Sequence, residues 1–259
     1  MISGQARRQF PFEPSYLADL ALSNGIGGPL DFIPTFATPD PFGMSTAALL
    51  RPDCFRAVIG LSVPFIPRGR VYPSRSVPET EDAVFYQSYF QSPGVAEADF
   101  EHDVRSSVRS LLYGASGNAP QAPIDAKSHV FMVPRKAGLS LVNPASLPPW
   151  LTEADVDVYV DQFKRTGYRG GLNWYWNIDR NWLLLAPFSG SKVTVPAILI
   201  AGDRDVVLAF RGMDQVISNL RNDVPELQKT LILPECGHWT QQERPQEVNE
   251  AMIAFLKLL

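Results

Sequence analysis

The run Val195-Pro196-Ala197-Ile198-Leu199-Ile200-Ala201-Gly202 carries no polar side chain. A strand can be apolar at every position when both of its faces are covered, as they are in a parallel sheet flanked by helices. The proline stands at the start of the run, where a strand tolerates it. Ala57-Val58-Ile59-Gly60-Leu61-Ser62-Val63, bounded by Arg56 and Pro64, is a second buried strand, and Thr230-Leu231-Ile232-Leu233 is a third. A helix is expected from about Ala209 to Leu220. Pro245, suited to a first helical turn, opens another, whose Val248, Met252, Phe255, Leu256 and Leu259 face a core.

The text between the first two strands is different in character. Residues 64–80 are rich in Pro, Arg and Ser, which breaks regular structure. From Glu97 to Tyr113, Phe100, Val104, Val108, Leu111 and Leu112 fall on one helical face, with Gly114 as a stop. Thr152 and Asp155 form a helix-start pair ahead of Val156, Tyr159, Val160 and Phe163, and Gly167 ends that stripe. A third, aromatic helix is expected over roughly Leu172 to Leu184. Strand, helical insert, then strand-helix-strand-helix is an α/β layout with a cap between two core strands. The core covers residues 46–66 and 187–259, and the cap 67–186. Residues 1–45 form an atypical N-terminal segment: six prolines interrupt it, only Tyr16 to Leu22 has room for two helical turns, and Pro34 breaks its one apolar stretch.

With 259 residues, of which 45% are hydrophobic and 19% charged, the chain can bury a core of ordinary size. A formal net charge of −4 with no Lys/Arg cluster excludes an electrostatic nucleic-acid partner. No apolar stretch reaches the ~18 residues of a membrane-spanning helix or follows the first residues as a signal peptide would. Cys54 and Cys236 are too few for a disulfide framework and have no ligand at metal-binding spacing, so a soluble cytoplasmic protein is expected. Oligomeric state is not set by the sequence.

Two side chains have the placement that chemistry needs. Asp205 lies three residues beyond Gly202, and His238 follows the third strand through a turn containing Pro234 and Gly237. Loops just past the C-terminal ends of sheet strands hold functional groups on a rigid scaffold. A carboxylate bonded to the imidazole would fix its tautomer and stabilise the imidazolium as the ring takes a proton from water. The bland alternative is that Asp205 caps the next helix and His238 merely packs in its turn. His102 and His129 are read as structural.

Two further motifs complete a pattern. Phe85-Tyr86-Gln87-Ser88-Tyr89-Phe90-Gln91-Ser92-Pro93-Gly94 and Gly171-Leu172-Asn173-Trp174-Tyr175 precede Gly202-Asp203-Arg204-Asp205 and Cys236-Gly237-His238-Trp239. From about Ala47 to Leu259 the chain resembles the soluble epoxide hydrolases of the α/β-hydrolase superfamily. The resemblance implies an α/β-hydrolase fold with an inserted helical cap, and conversion of an epoxide and water to a vicinal diol without metal or cofactor. It makes Tyr86 and Tyr175 the cap phenols that donate hydrogen bonds to the epoxide oxygen, and Asp205 and His238 the acid/base pair. Trp174 and its aromatic neighbours would meet a hydrophobic epoxide.

The first step of that chemistry, attack by an aspartate on an epoxide carbon, has no recognisable agent here. The resemblance puts the nucleophile at Thr38, and Asp40, the only nearby acid, lies between Pro39 and Pro41, which restrict the strained turn a nucleophile elbow requires. The family's His-Gly-x-Pro oxyanion segment is also missing, since the first histidine is His102. Gly43-Met44-Ser45-Thr46-Ala47 matches a serine-hydrolase elbow, but no strand precedes it and Ser45 falls inside an implied helix. The expectation is an incomplete parallel sheet in a truncated, frame-shifted or diverged hydrolase. Its alternative is a non-catalytic remnant that binds small molecules. The strand at residues 57–63 would then expose an apolar edge, a liability for solubility.

Overall fold

The computed structural model describes residues 44–120, 131–139 and 143–259. In chain order these form α1 (Met44–Leu50), β1 (Val58–Leu61), β2 (Ala83–Phe85), α2 (Tyr86–Tyr89), α3 (Val95–His102), α4 (Val104–Gly114), β3 (Met132–Pro134), α5 (Glu153–Thr166), α6 (Arg169–Trp176), α7 (Ile178–Leu184), β4 (Ala197–Gly202), α8 (Met213–Asp223), β5 (Leu227–Leu233), α9 (Thr240–Glu243) and α10 (Pro245–Leu256). Residues 1–43, with Thr38, Asp40 and Gly43, and also His129, lie outside the described residues.

A parallel three-stranded sheet in the order β1-β4-β5 carries the core. Val58 to Leu61 pair with Ala197 to Ile200, and Gly202 pairs with Leu233 at the far end of β5. All six residues of β4 are buried, as its unbroken apolar sequence requires. Its two faces are covered by different helices. Ile198 and Ile200 pack with Val248, Met252, Phe255 and Leu256 of α10, whereas Ala197 and Leu199 pack with Ala48 of α1 and Leu220 of α8. Each buried Ile, Leu, Val, Met or Phe among them contributes about 1.5–3 kcal/mol by leaving water. Leu259, expected on the α10 core face, lies beyond the end of that helix and is exposed.

β1 and β5 are the edges of this sheet among the described residues. β1 is shorter than its apolar run because Ser62 turns into the left-handed region, φ 66°. β5 starts earlier than expected, at Leu227, and exposes Gln228, Lys229 and Thr230, as suits an edge.

Among the described residues between β1 and β4 the chain forms six α-helices and a two-stranded antiparallel ribbon of β2 and β3. Two helices expected as single rods are broken, each by a polar side chain that competes for backbone. Asp103 leaves helical geometry between α3 and α4 and accepts the N–H of Ser106 as the N-cap of α4. Asn177 ends α6 and donates its amide to the carbonyl of Asn173, separating α6 from α7. The Thr152–Asp155 pair is a reciprocal capping box that opens α5. Val108 and Leu112 of α4 bury against Val156 and Val160 of α5. Arg105 and Arg109 reach Glu153 across the same contact. Farther along, Phe100, Tyr168 and Phe163 stack, with ring centroids 4.9 and 4.2 Å apart.

Candidate active site

Asp205 and His238 meet past the C-terminal ends of β4 and β5. The imidazole Nδ1 stands 3.1 Å from Oδ1 of Asp205 and 3.3 Å from Oδ2, with both residues buried. Asp205 does not cap the next helix, which begins at Met213 behind Gly212. Its Oδ1 instead accepts the N–H of Val207 at 2.9 Å, a local turn that locks the carboxylate. With Nδ1 held by the acid, Nε2 is the nitrogen left to exchange a proton with water.

The turn carrying His238 fits because two residues have no side chain. A Cβ on Gly202 would sit 2.0 Å from the carbonyl oxygen of Cys236, and one on Gly237 would sit 2.3 Å from the nitrogen of Gly117. Close backbone approach is the reason for glycine at both places. The His238 backbone is then pinned on both sides: its N–H donates to Ala115 at 2.8 Å, and its carbonyl accepts the Ser62 hydroxyl at 2.6 Å. The indole of Trp239 donates to the carbonyl of Leu112 at 2.7 Å. The end of α4 therefore forms part of the His238 seat.

Tyr86 opens α2 and Tyr175 lies in α6, and their rings pack edge to face with centroids 5.7 Å apart. Burial pushes the Tyr86 phenol above the ordinary tyrosine range, and hydrogen bonds with Gln87 and Tyr175 pull partly against it. The Gln87 amide donates to the Tyr86 oxygen at 3.1 Å, which leaves the phenolic proton for another acceptor. Gln91, two residues past α2, donates to the carbonyl of Tyr175 at 2.9 Å, tying the turn after α2 to α6. Phe90 packs against both phenols, at 5.4 Å from Tyr86 and 5.0 Å from Tyr175.

The loop that holds Asp205 also reaches this aromatic group. Phe210, five residues on, packs edge to face on Phe85 at 5.4 Å and lies 6.4 Å from Tyr86. One loop thus connects the Asp205–His238 pair with the two tyrosines, a link that the sequence did not announce. Glu243, Ser62 and Gln87 were missed as well. The available signal was weak, since Gln87 sits next to Tyr86 in its motif, Ser62 lies in an apolar strand run and Glu243 comes five residues after His238, and none of these places marks a role by itself. Trp174, by contrast, is 50% exposed, because one residue along a helix turns the side chain by about 100° from Tyr175. Ser45 lies in α1, as expected, and lines an apolar cavity with Val58, Leu199 and Leu220 rather than facing His238. His102 is exposed at the end of α3. Among the described residues no group of His, Cys, Asp and Glu is arranged to hold a metal ion, and no helix is long and apolar enough to cross a membrane.

A parallel sheet flanked by helices, with an acid and a histidine paired on loops beyond its strands and a helical insert between them, defines an α/β-hydrolase. No family model matches the chain. Epoxide hydrolase A of Mycobacterium tuberculosis is 37% identical over 81% of this chain and 64% of its own length. Epoxide hydrolase B of the same organism is 32% identical over 82% of this chain and 67% of its own. The crystal structure of an epoxide hydrolase from Vigna radiata superimposes with a TM-score of 0.77, at 31% identity, over 93% of this chain and 73% of that one. The chain belongs to the epoxide hydrolase family of the α/β-hydrolases. It spans less than two thirds of the length of the first of these relatives.

Proposed function

We propose that this chain supplies the ring-opening and ester-hydrolysing groups of an epoxide hydrolase, with the segment of residues 67–186 acting as its cap. The observation that carries this reading is the Asp205–His238 pair, 3.1 Å apart and joined through the loop of residues 203–212 to the Tyr86–Tyr175 pair. A carboxylate attacks one epoxide carbon, the C–O bond of the ring breaks, and a phenol proton passes to the departing oxygen. His238 then takes a proton from water, the resulting hydroxide adds to the ester carbonyl, the departing alkoxide takes the proton of the freed carboxylic acid to give a vicinal diol, and the imidazolium proton returns to the phenolate. Asp205 stabilises the imidazolium in that second step.

The aromatic surroundings, Phe85, Phe90, Phe131 and Phe210 about Tyr86, favour a hydrophobic epoxide. Among the described residues, no carboxylate other than Asp205 is hydrogen-bonded to His238, so the attacking group is assigned to none of them. Asp40 is the acid to test. A buried Cys236 and an unpaired Cys54 agree with a reducing cytoplasm. The test is to incubate the purified chain with an aromatic epoxide and measure diol, beside His238→Ala and Asp40→Ala. The reading predicts diol from the wild type and an ester trapped on His238→Ala, seen as added mass. Neither product from a folded chain that still binds the epoxide identifies a binding remnant instead.

A further inference from the structure

We infer that Glu243 is a positioning residue for His238, its carboxylate setting the turn that holds the imidazole against Asp205. This rests on the hydrolytic role proposed for that pair. Glu243 ends α9, and its side chain is buried. Oε2 accepts the N–H groups of Gly237 and Gly117, both at 2.9 Å, and Oε1 accepts that of Trp239 at 3.1 Å. Gly237 and Trp239 are the two neighbours of His238 in the chain. One carboxylate therefore grips the backbone on either side of the histidine and binds it to the segment that follows α4.

Helix capping explains only the Trp239 bond, because Gly237 and Gly117 belong to no part of α9. A buried carboxylate is costly unless its oxygens are satisfied, and three N–H donors from separate segments satisfy this one. The residue type follows from the donor set. A carboxylate is acceptor-only, so both of its oxygens can serve N–H groups; a glutamine in its place would turn an NH2 toward one of them. The same short helix is fastened to the insert, where Gln242 donates to the hydroxyl of Tyr159 at 2.9 Å. Glu243 thus couples the histidine turn to the helical segment that bears the phenols.

The proposal is tested by proton NMR of the 15N-labelled chain, following exchange of the His238 ring proton on Nδ1. Asp205→Ala establishes whether that proton is held by Asp205. Glu243→Gln is expected to speed its exchange by at least about tenfold, the effect of one lost charge-assisted hydrogen bond. The amide of Ile200, deep in β4, should exchange at its wild-type rate, which a globally weakened fold would not preserve. Glu243→Asp keeps the charge but withdraws the carboxylate by one methylene, and an intermediate rate is expected from it; it also serves should the glutamine variant not fold. Unchanged exchange in the variants, or equal acceleration at Ile200, overturns the role of Glu243. A ring proton that is absent in the wild type, or that survives Asp205→Ala, overturns the pair itself and the inference with it.

Discussion

The hydroxyl of Ser62 donates to the carbonyl oxygen of His238 at 2.6 Å, from a backbone whose φ is 66°. A residue at the end of the first strand of the sheet thereby fixes the histidine that follows the last. Left-handed geometry costs a non-glycine residue about 1–2 kcal/mol, and here the hydrogen bond offsets that strain.

Substitution at this position separates the two terms. Ser62→Ala keeps the strain and leaves a buried carbonyl without its partner, so a loss of about 1–3 kcal/mol is expected. Ser62→Gly loses the same bond but relieves the backbone, and it should destabilise by about 1 kcal/mol less than alanine. Denaturant midpoints of the three proteins check the order serine, glycine, alanine. Alanine as stable as serine would show that the bond contributes nothing.

The phenols should govern ring opening more than binding. Tyr86→Phe or Tyr175→Phe leaves the aromatic packing and removes a proton donor, so ester formation is expected to slow by about 100-fold. Retained affinity for the epoxide, measured beside that rate, would place the loss in the chemical step. The pH dependence follows from the raised Tyr86 phenol. A group whose folded pKa lies above its free value stays protonated past the ordinary tyrosine range near 10, so the donor remains in place throughout neutral pH. A fall in ester formation between pH 7 and 9 that Tyr86→Phe abolishes would contradict this.

What was legible in the sequence is what depends on neighbours in the chain. The six buried residues of β4 follow from an apolar run, and the α5 start from a Thr–Asp spacing. The positions beyond β4 and β5 located Asp205 and His238 before their contact was seen. The breaks at Asp103 and Asn177 were not foreseen, because the apolar stripe continues past each while one polar side chain captures a backbone group. Phe210 and Glu243 were missed for a different reason. Phe210's partner Tyr86, and Gly117, the partner that ties Glu243 to the segment after α4, lie more than a hundred residues away, and no local pattern records such contacts.

Glycines should respond in opposite senses according to the space around them. At Gly202 an added Cβ would meet the carbonyl of Cys236 at 2.0 Å, backbone against backbone, with no flexible side chain to yield. Gly202→Ala is expected to cost about 3 kcal/mol or more and to displace the His238 turn. At Gly170 and Gly171 in α6 nothing lies within 4 Å of the new atom. Alanine there should stabilise by about 0.5–1 kcal/mol each through helix propensity. Thermal unfolding of the variants decides the matter, and a tolerated Gly202→Ala would mean that β4 and the histidine turn are not in contact.

Tyr89 gives the fold a dependence on alkaline pH. Its hydroxyl donates to Oδ2 of Asp99 at 2.6 Å, and the same carboxylate accepts the N–H of Leu139 at 3.0 Å. Burial first, and then the Asp99 hydrogen bond and charge, push the phenol up to about 12. In the unfolded chain a tyrosine loses its proton near pH 10. Between those values the folded state binds the extra proton, so stability falls as pH rises. The contribution is whole below about pH 10 and is lost as pH passes through the folded value. Tyr89→Phe removes the titrating group and should flatten this part of the stability curve, while weakening the protein at neutral pH by about 1 kcal/mol for the lost bond. Urea unfolding at pH 8, 10 and 11 measures both effects; an equal slope in the two proteins would assign the alkaline loss to other groups.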